Sequence, residues 1–531
     1  MTQPDFDAIV VGAGFAGLYM LHRLRSQGLR VRVIEAASDV GGTWYWNRYP
    51  GARCDVESMQ YSYQFSDELQ QEWDWTERYA TQPEILRYAQ YVAVRFDLCL
   101  DITFKTRVVA ATFDEAATIW RLETDMGETL SARFCIMATG CLSVPSIPDI
   151  EGVDSFVGNT YHTGLWPHEE VDFSGQQVGV IGTGSSGIQA IPIIAEEAEH
   201  LFVFQRSAHY TVPAHNAPLA PEAQREVKAR YGEIRECARS LPSGVLFPLN
   251  NTSAMVTSAE DRQQEYEKRW RTGGVGFLGA FNDLMFDAEA NETAASFVRE
   301  KVRETLHDPD VAELLMPHGV IGCRRLCVDT GFHATFNRDN VTLVNVRETP
   351  IERIYTDGMV VGTKIYALDA IVFATGFDAM TGALLKIDIR GSGGCSLRDK
   401  WAEGPRAYLG LTLAGFPNLF TITGPGSPSV FTNMIPSIEQ HVVWIADCIA
   451  HLRENGFSRI EATEDAEDAW IAHVADVASH HLRASCGSWY LGANIPGKPR
   501  VFMPYIGGFP TYVQKCDEIV AKGYVGFALS A

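Results

Sequence analysis

The feature that most constrains this chain is a βαβ unit it carries twice. The first, "DAIVVGAGFAGLYMLHRLRSQGLRVRVIE" from Asp7 to Glu35, reads as strand, glycine turn, helix and strand. Asp7 to Val11 is a short β-branched run, and Gly12, Gly14 and Gly17 follow at GxGxxG spacing with Ala13 between the first two. Leu18, Leu21 and Leu24 then recur at helical spacing before Gly28 stops the helix. The first glycine allows a tight turn, the second lets backbone approach a pyrophosphate, and the third lets the helix pack on the strand. Free N–H groups at the helix start face the phosphates. Glu35 closes the second strand, where a carboxylate can accept from ribose hydroxyls.

The second unit is "QQVGVIGTGSSGIQAIPIIAEEAEHLFVFQRS". Gly182, Gly184 and Gly187 keep the spacing; Thr183, Ser185, Ser186 and Gln189 fill the turn and the first helical turns. Pro192 predicts a bend. The second strand ends in Arg206 and Ser207 instead of an acid. An acid there suits a free ribose and an arginine suits a 2′-phosphate, so the first unit fits FAD or NAD and the second NADP.

Two further strands end in Ala-Thr-Gly, "IMATG" at 136–140 and "IVFATGFD" at 371–378, as where chain crosses between two dinucleotide domains. The expected fold is α/β: two Rossmann-like dinucleotide-binding domains with a helical insertion in the NADP domain. Residues 1–140 and 376–531 would bind FAD, and 141–213 with 322–375 would bind NADP. The stretch 214–321 lacks strand runs and is rich in Glu, Arg and Ala at helical spacing, as in "EAQREVKARYGEIRECARSL".

A formal charge of −22 argues against nucleic acid or an anionic membrane as partner. No stretch approaches the ~20 apolar residues of a membrane span. The run "MTQPDFDAIVVGAG" goes straight into a strand, so no signal peptide is expected. Eleven cysteines without CxxC spacing read as reduced thiols of a cytoplasmic protein, and no metal site is expected. A disulfide reductase would need a redox cysteine pair near the flavin; Cys135 and Cys141 only flank the "IMATG" turn. NADPH-dependent oxygen activation remains.

Between the two fingerprints lies "FVGNTYHTGLWP", which fits FxGxxxHxxxWP with Phe156, Gly158, His162, Trp166 and Pro167. "GGTWYWNRYPGARCD" from Gly41 to Asp55 meets a second pattern, [A/G]GxWxxxx[F/Y]P[G/M]xxxD. Together these resemble the signatures of type I Baeyer–Villiger monooxygenases, a group of class B flavoprotein monooxygenases. "FNRDNV", "GPGSPS", "SIEQHV" and "GANIPGKPRVF" resemble its phenylacetone and cyclic-ketone branch.

That resemblance implies an enzyme in which NADPH reduces FAD, and O2 gives a C4a-peroxyflavin that converts a ketone to an ester or lactone. It makes Arg325, in "GCRRLCVD", the cation over the flavin, and Asp55 the carboxylate that holds it. Gly42, Thr43, Trp44, Asp55, Tyr61 and Met434 would touch FAD; Arg53, Arg324, Arg325 and Trp489 would touch NADP, Trp489 from a mobile loop. Val430, Phe431 and Thr432 would shape the ketone pocket. His162 is expected to be a hydrogen-bonded structural residue of the inter-domain linker, with Trp166 and Pro167 fixing its turn. Expected partners are a small ketone and O2, and the protein is expected to be a monomer or weak homo-oligomer. Two alternatives stand: a flavin monooxygenase acting on nitrogen or sulfur, and a non-catalytic NADPH-binding regulator.

Overall fold

The two glycine fingerprints head two separate sheets in the computed structural model, which describes residues 3–531. The N-terminal β-branched run forms strand Phe6–Val11, buried from Ala8 onward. It pairs in parallel with Val31–Ile34 on one side and Thr129–Met137 on the other, inside an eight-stranded sheet. Strands far along the chain complete that sheet: Asp388–Arg390 lies beside Val108–Asp114, and Leu419–Thr421 beside Thr129–Met137. Helix Phe15–Ser26 buries Leu18, Leu21 and Leu24 and packs on the 21-residue helix Met434–Glu454.

The second fingerprint heads a five-stranded, wholly parallel sheet. Its order is Val341–Asn345, His200–Gln205, Gln177–Ile181, Ala370–Phe373 and Asn159–His162. Such a sheet must be covered on both faces. Helix Ser185–Glu197, running through Pro192, covers one face with Ile188, Ile191 and Ile194; Ile354, Met359 and Val361 of a three-stranded meander cover the other. Both sheets are of the Rossmann type, so the chain is α/β with two dinucleotide folds.

The Ala-Thr-Gly strand ends acquire a physical role. Gly12 has φ +105°, and a Cβ there would lie 2.6 Å from the Ala138 carbonyl oxygen. Gly182 has φ +107°, and a Cβ would lie 2.5 Å from the Ala374 oxygen. Each Ala-Thr-Gly turn therefore packs against the glycine turn of its own sheet, closer than any side chain allows.

Between strands Thr211–Pro213 and Cys327–Asp329, which pair with each other in parallel, the described residues form helices and no strand. Ser258 and Asp287 cap two of these helices through backbone N–H groups of Asp261, and of Glu289 and Ala290. Tyr266, Phe277, Phe281 and Phe297 make a core of their own there.

Two expectations change. The "FVGNTYHTGLWP" segment holds the edge strand Asn159–His162 of the five-stranded sheet, His162 opposite Phe373, so it is sheet as well as turn. Trp166 is buried against Tyr161 and Phe173 just beyond it. The reading of every cysteine as a free thiol is corrected: Cys323 and Cys486 form a disulfide with Cα atoms 5.8 Å apart. The partners are 163 residues apart in sequence and meet only because the chain folds back, so local spacing carries no sign of them. The other nine cysteines are free.

Candidate active site

A cavity of about 1570 Å³ runs between the two sheets. Pockets for one small molecule occupy roughly 300–1,000 Å³. The excess leaves room for more than one ligand. Both fingerprints open into it, through Gly12 and Gly14 at one end and Gly182, Gly184 and Ser185 at the other. The residue that caps each fingerprint helix, Gly14 or Gly184, has no side chain to offer, so the leading N–H groups stay available to phosphate.

Around the first fingerprint the sequence supplies a backbone floor. A Cβ on Gly42 would lie 2.8 Å from the Cα of Gly14, so these chains can meet only as glycines. Thr43 and Trp44 follow on a short helix, and Trp44 Nε1 donates to the Tyr61 hydroxyl at 3.2 Å. Glu35 is 5 % exposed; its Oε2 accepts from the Ala13 N–H at 2.5 Å and its Oε1 from the Ala37 N–H at 2.7 Å. Burial pushes its pKa up against the pull of those N–H groups. Met434 lines the cavity at the start of the long helix.

Around the second fingerprint the chemistry inverts. Arg206 and Arg324 both line the cavity, and neither forms an ion pair among the described residues. Burial and the charge of Arg206 lower the Arg324 pKa, as expected where two cations face each other without an anion. Thr183 and Ser207 sit beside them, the Thr183 hydroxyl donating to the Ser207 carbonyl at 3.1 Å. This donor set suits a phosphate dianion.

The two halves are tied by Gln189 and Arg53. Gln189 Oε1 accepts from the Tyr49 hydroxyl at 2.8 Å and the Arg53 N–H at 3.3 Å, while its amide donates to the Arg53 carbonyl at 3.2 Å. The Arg53 guanidinium is already taken, 2.7 Å from Glu77 and 2.9 Å from the Tyr79 carbonyl. Gly51 permits the contact, since a Cβ there would strike the Gln189 carbonyl.

At the centre, residues 270 apart in sequence meet. Arg325 Nε donates to Asp55 Oδ2 at 2.5 Å and Nη2 to Oδ1 at 2.8 Å, a two-pronged pairing. Nη1 donates to the Val430 carbonyl at 3.0 Å, fixing the third side of the guanidinium. Burial opposes the arginine's charge, but Asp55 outweighs it and raises the pKa above the ordinary value. The two side chains retain 31 % and 24 % exposure, because they face the cavity. The result is a permanent cation, held on three sides, in the cavity that both glycine turns line.

Other expected residues fall on either side of this boundary. Val430, Thr432 and Trp489 line the cavity. Phe431 does not; its ring packs on Tyr490 and Phe502, at 4.5 and 5.8 Å between centroids, beneath the Arg483 guanidinium. Val430 and Phe431 share a short 3₁₀ turn, which sends successive side chains in different directions. Ser186 and Gly187 lie in the fingerprint helix, the Ser186 and Thr163 hydroxyls 3.1 Å apart. His162 is buried outside the cavity: Nδ1 accepts from the Gly164 N–H at 2.9 Å, and Nε2 lies 3.4 Å from the Thr375 hydroxyl. Burial lowers its pKa. Phe156 packs on the outer face of the second sheet, and a Cβ on Gly158 would strike the Asp369 carbonyl.

Sequence reasoning missed Leu142, Ala379, His209 and Asn494, all of which line the cavity. Leu142 and Ala379 lie just beyond the two Ala-Thr-Gly turns, a usable signal in retrospect. His209 gives none; burial pushes its imidazole down to about 4, so it stands there neutral. Among the described residues no cluster of His, Cys, Asp or Glu is suited to a metal ion, and no helix is long and apolar enough to cross a membrane.

Comparison with known proteins adds three findings. The family model described as "Pyridine nucleotide-disulphide oxidoreductase" matches residues 9–240, the part that holds both glycine fingerprints. A protein of Pseudooceanicola batsensis named Baeyer-Villiger monooxygenase is 43% identical over 98% of this chain and 95% of its own. Among solved structures, an oxidized steroid monooxygenase bound to NADP is 53% identical over 99% of both chains, with a TM-score of 0.95. Cyclohexanone monooxygenase in its closed form is 42% identical over the full length of both, with a TM-score of 0.98. Its open form, covering 99% of both at 40% identity, scores 0.93.

Proposed function

We infer that this chain, which belongs to the Baeyer–Villiger monooxygenase family, turns ketones into esters or lactones with O2 and NADPH. FAD and NADP are its cofactors, and the cavity fits both. FAD, once reduced, supplies the activated oxygen; the chain must bind, orient and shield the reactants and steady the charge.

We assign these tasks as follows. The Gly12–Gly17 turn and the start of its helix hold the FAD pyrophosphate, with Glu35 at the ribose. The Gly182–Gly187 turn holds that of NADP, with Arg206 and Arg324 on the 2′-phosphate. Arg325 is the catalytic residue: its fixed charge steadies the negative charge that grows on oxygen as the ketone carbonyl is attacked. Asp55 is a positioning residue that holds the guanidinium fork in one orientation. Trp489 and its neighbours wall the cavity against water. Val430 and Thr432 shape the ketone site. We further read the chain as cytoplasmic and as a monomer or weak homo-oligomer. Residues 1–140 with 376–531 form its FAD unit, and 141–213 with 322–375 its NADP unit, with 214–321 inserted.

The observation that carries this reading is the two-pronged Arg325–Asp55 pair, set in the cavity that both glycine turns line. The test is NADPH consumption by the FAD-loaded protein over a panel of aryl, monocyclic and polycyclic ketones, with products identified by mass spectrometry. A sulfide of matched size runs beside each ketone. Ester or lactone formed with NADPH supports the reading; sulfoxide or N-oxide from heteroatom substrates, with every ketone untouched, overturns it.

A further inference from the structure

One wall of the cavity is built unlike the rest. Residues 487–489 and 493–496 line it, yet between helices Glu464–Ser479 and Phe509–Ala521 the chain has only two short 3₁₀ turns. Gly492 and Gly497 stand in the left-handed region at φ +70° and +73°. The backbone N–H groups of this wall bond only to carbonyls between Cys486 and Gly492, within the wall itself, so it opens at lower cost than sheets and helices tied into the core. A dinucleotide reductant has to enter and leave in every cycle, so some wall must yield. The fold also exists in closed and open forms in cyclohexanone monooxygenase, and this chain lies nearer the closed one.

This wall is pinned at both ends. At its far end Lys498 Nζ sits 2.5 Å from Asp378 Oδ1 and 2.7 Å from the Ala379 carbonyl, while the Asn494 amide donates to the Phe377 carbonyl at 2.8 Å. At its near end Arg483 Nε donates to the Gly322 carbonyl at 2.7 Å, and Cys486 is joined to Cys323. Cys323 stands two residues before Arg325 in sequence, and Cys486 three before Trp489. The disulfide thus couples the loop of the catalytic arginine to the wall that carries Trp489. We propose that Cys323 and Cys486 form a peroxide-sensitive latch, which holds the 487–496 wall shut when oxidised and frees it when reduced.

The surroundings suit such chemistry. Cys323 is half-buried, next to Arg324 and to the carbonyl that Arg483 grips, and cations favour the thiolate. The Cys323 thiolate attacks hydrogen peroxide; the O–O bond breaks, giving a sulfenic acid and hydroxide, which takes up the thiol's proton to leave as water. The Cys486 thiolate then displaces hydroxide from that sulfur, and this too leaves as water with the second thiol's proton. Two thiols and one peroxide give one disulfide and two waters, the sulfurs losing the two electrons that the peroxide oxygens gain. The peroxide arises when reduced enzyme and O2 react without a ketone, so the latch rests on the function proposed above. Closing the wall then slows idle consumption of NADPH, and a dithiol reductant reverses it.

The experiment uses FAD-loaded protein carrying NADP+, with no ketone present, after treatment with hydrogen peroxide or dithiothreitol. Non-reducing peptide mapping should find the Cys323–Cys486 link only in the oxidised sample. NADP+ release, followed by displacement, should be about tenfold slower there and recover on reduction. Cys323→Ser and Cys486→Ser should release at the reduced rate under either treatment. Equal release from linked and reduced wild type overturns the proposal, as does absence of the link or slowing that persists in both variants. If a variant does not fold, the two wild-type states decide alone. Failure to convert ketones would leave this measurement intact, which separates the latch from the reading it rests on.

Discussion

At the first fingerprint Gly12 holds φ +105° with its Cα face against Ala138; at the second Gly182 holds φ +107° against Ala374. In both, a Cβ on the third glycine would run into the carbonyl of the first. The backbones repeat almost element for element, and the side chains at the strand ends do not. Glu35 is buried and clamped by two backbone N–H groups. Arg206 is exposed and unpaired beside Arg324, which is also unpaired among the described residues. On the assignment proposed above, the shared glycine geometry serves the pyrophosphate in both sheets, and the strand-end side chain distinguishes a free ribose from a 2′-phosphate.

Straining each glycine turn separately shows whether the two turns act as independent sites. Gly12→Ala and Gly182→Ala impose the same cost, ~1–3 kcal/mol of backbone strain or about 5- to 150-fold in binding. Gly12→Ala should lower FAD retention in the purified protein, and Gly182→Ala should retain FAD while NADPH reduces it only at much higher concentration. Loss of both cofactors from either variant would show that the turns are not independent sites. A smaller effect is expected from Arg206→Ala. It should raise the NADPH concentration for half-maximal reduction about tenfold and leave NADH unchanged, since only the 2′-phosphate contact is lost. An equal loss with both reductants would remove Arg206 from that role. The smallest is Glu35→Gln, which exchanges one acceptor for a donor facing a backbone N–H. FAD affinity should fall severalfold, at ~1 kcal/mol, with NADPH preference intact. Fluorescence titration of the apoprotein with FAD measures it.

Legibility in the sequence followed the range of the interaction. Strands, glycine turns and fingerprint helices depend on residues close together, so Phe6–Val11 and Ser185–Glu197 could be read directly. The helical stretch after Pro213 declared itself by spacing and by its lack of strand runs. Arg325 and Asp55 were reached through motif resemblance; nothing local to either residue shows the 2.5 Å contact. Strand Asn159–His162 escaped notice because it is a four-residue edge strand whose pairing partner begins at Ala370. Phe431 was grouped with Val430 and Thr432 by family resemblance of their loop, which carries no information on the direction each side chain takes from a 3₁₀ turn. The Cys323–Cys486 link is the extreme case, created wholly by chain return.

If the two fingerprint sites bind and Arg325 acts between them, reduction and oxygen insertion must be separable. The direct measurement is Arg325→Ala, followed by rapid mixing with NADPH and then with O2 and a ketone that the wild type converts. Flavin reduction should persist within a few-fold of wild type, while ester formation falls by about 10²–10³-fold as the fixed cation is lost. Ester formed near the wild-type rate, or reduction abolished along with insertion, would contradict the account.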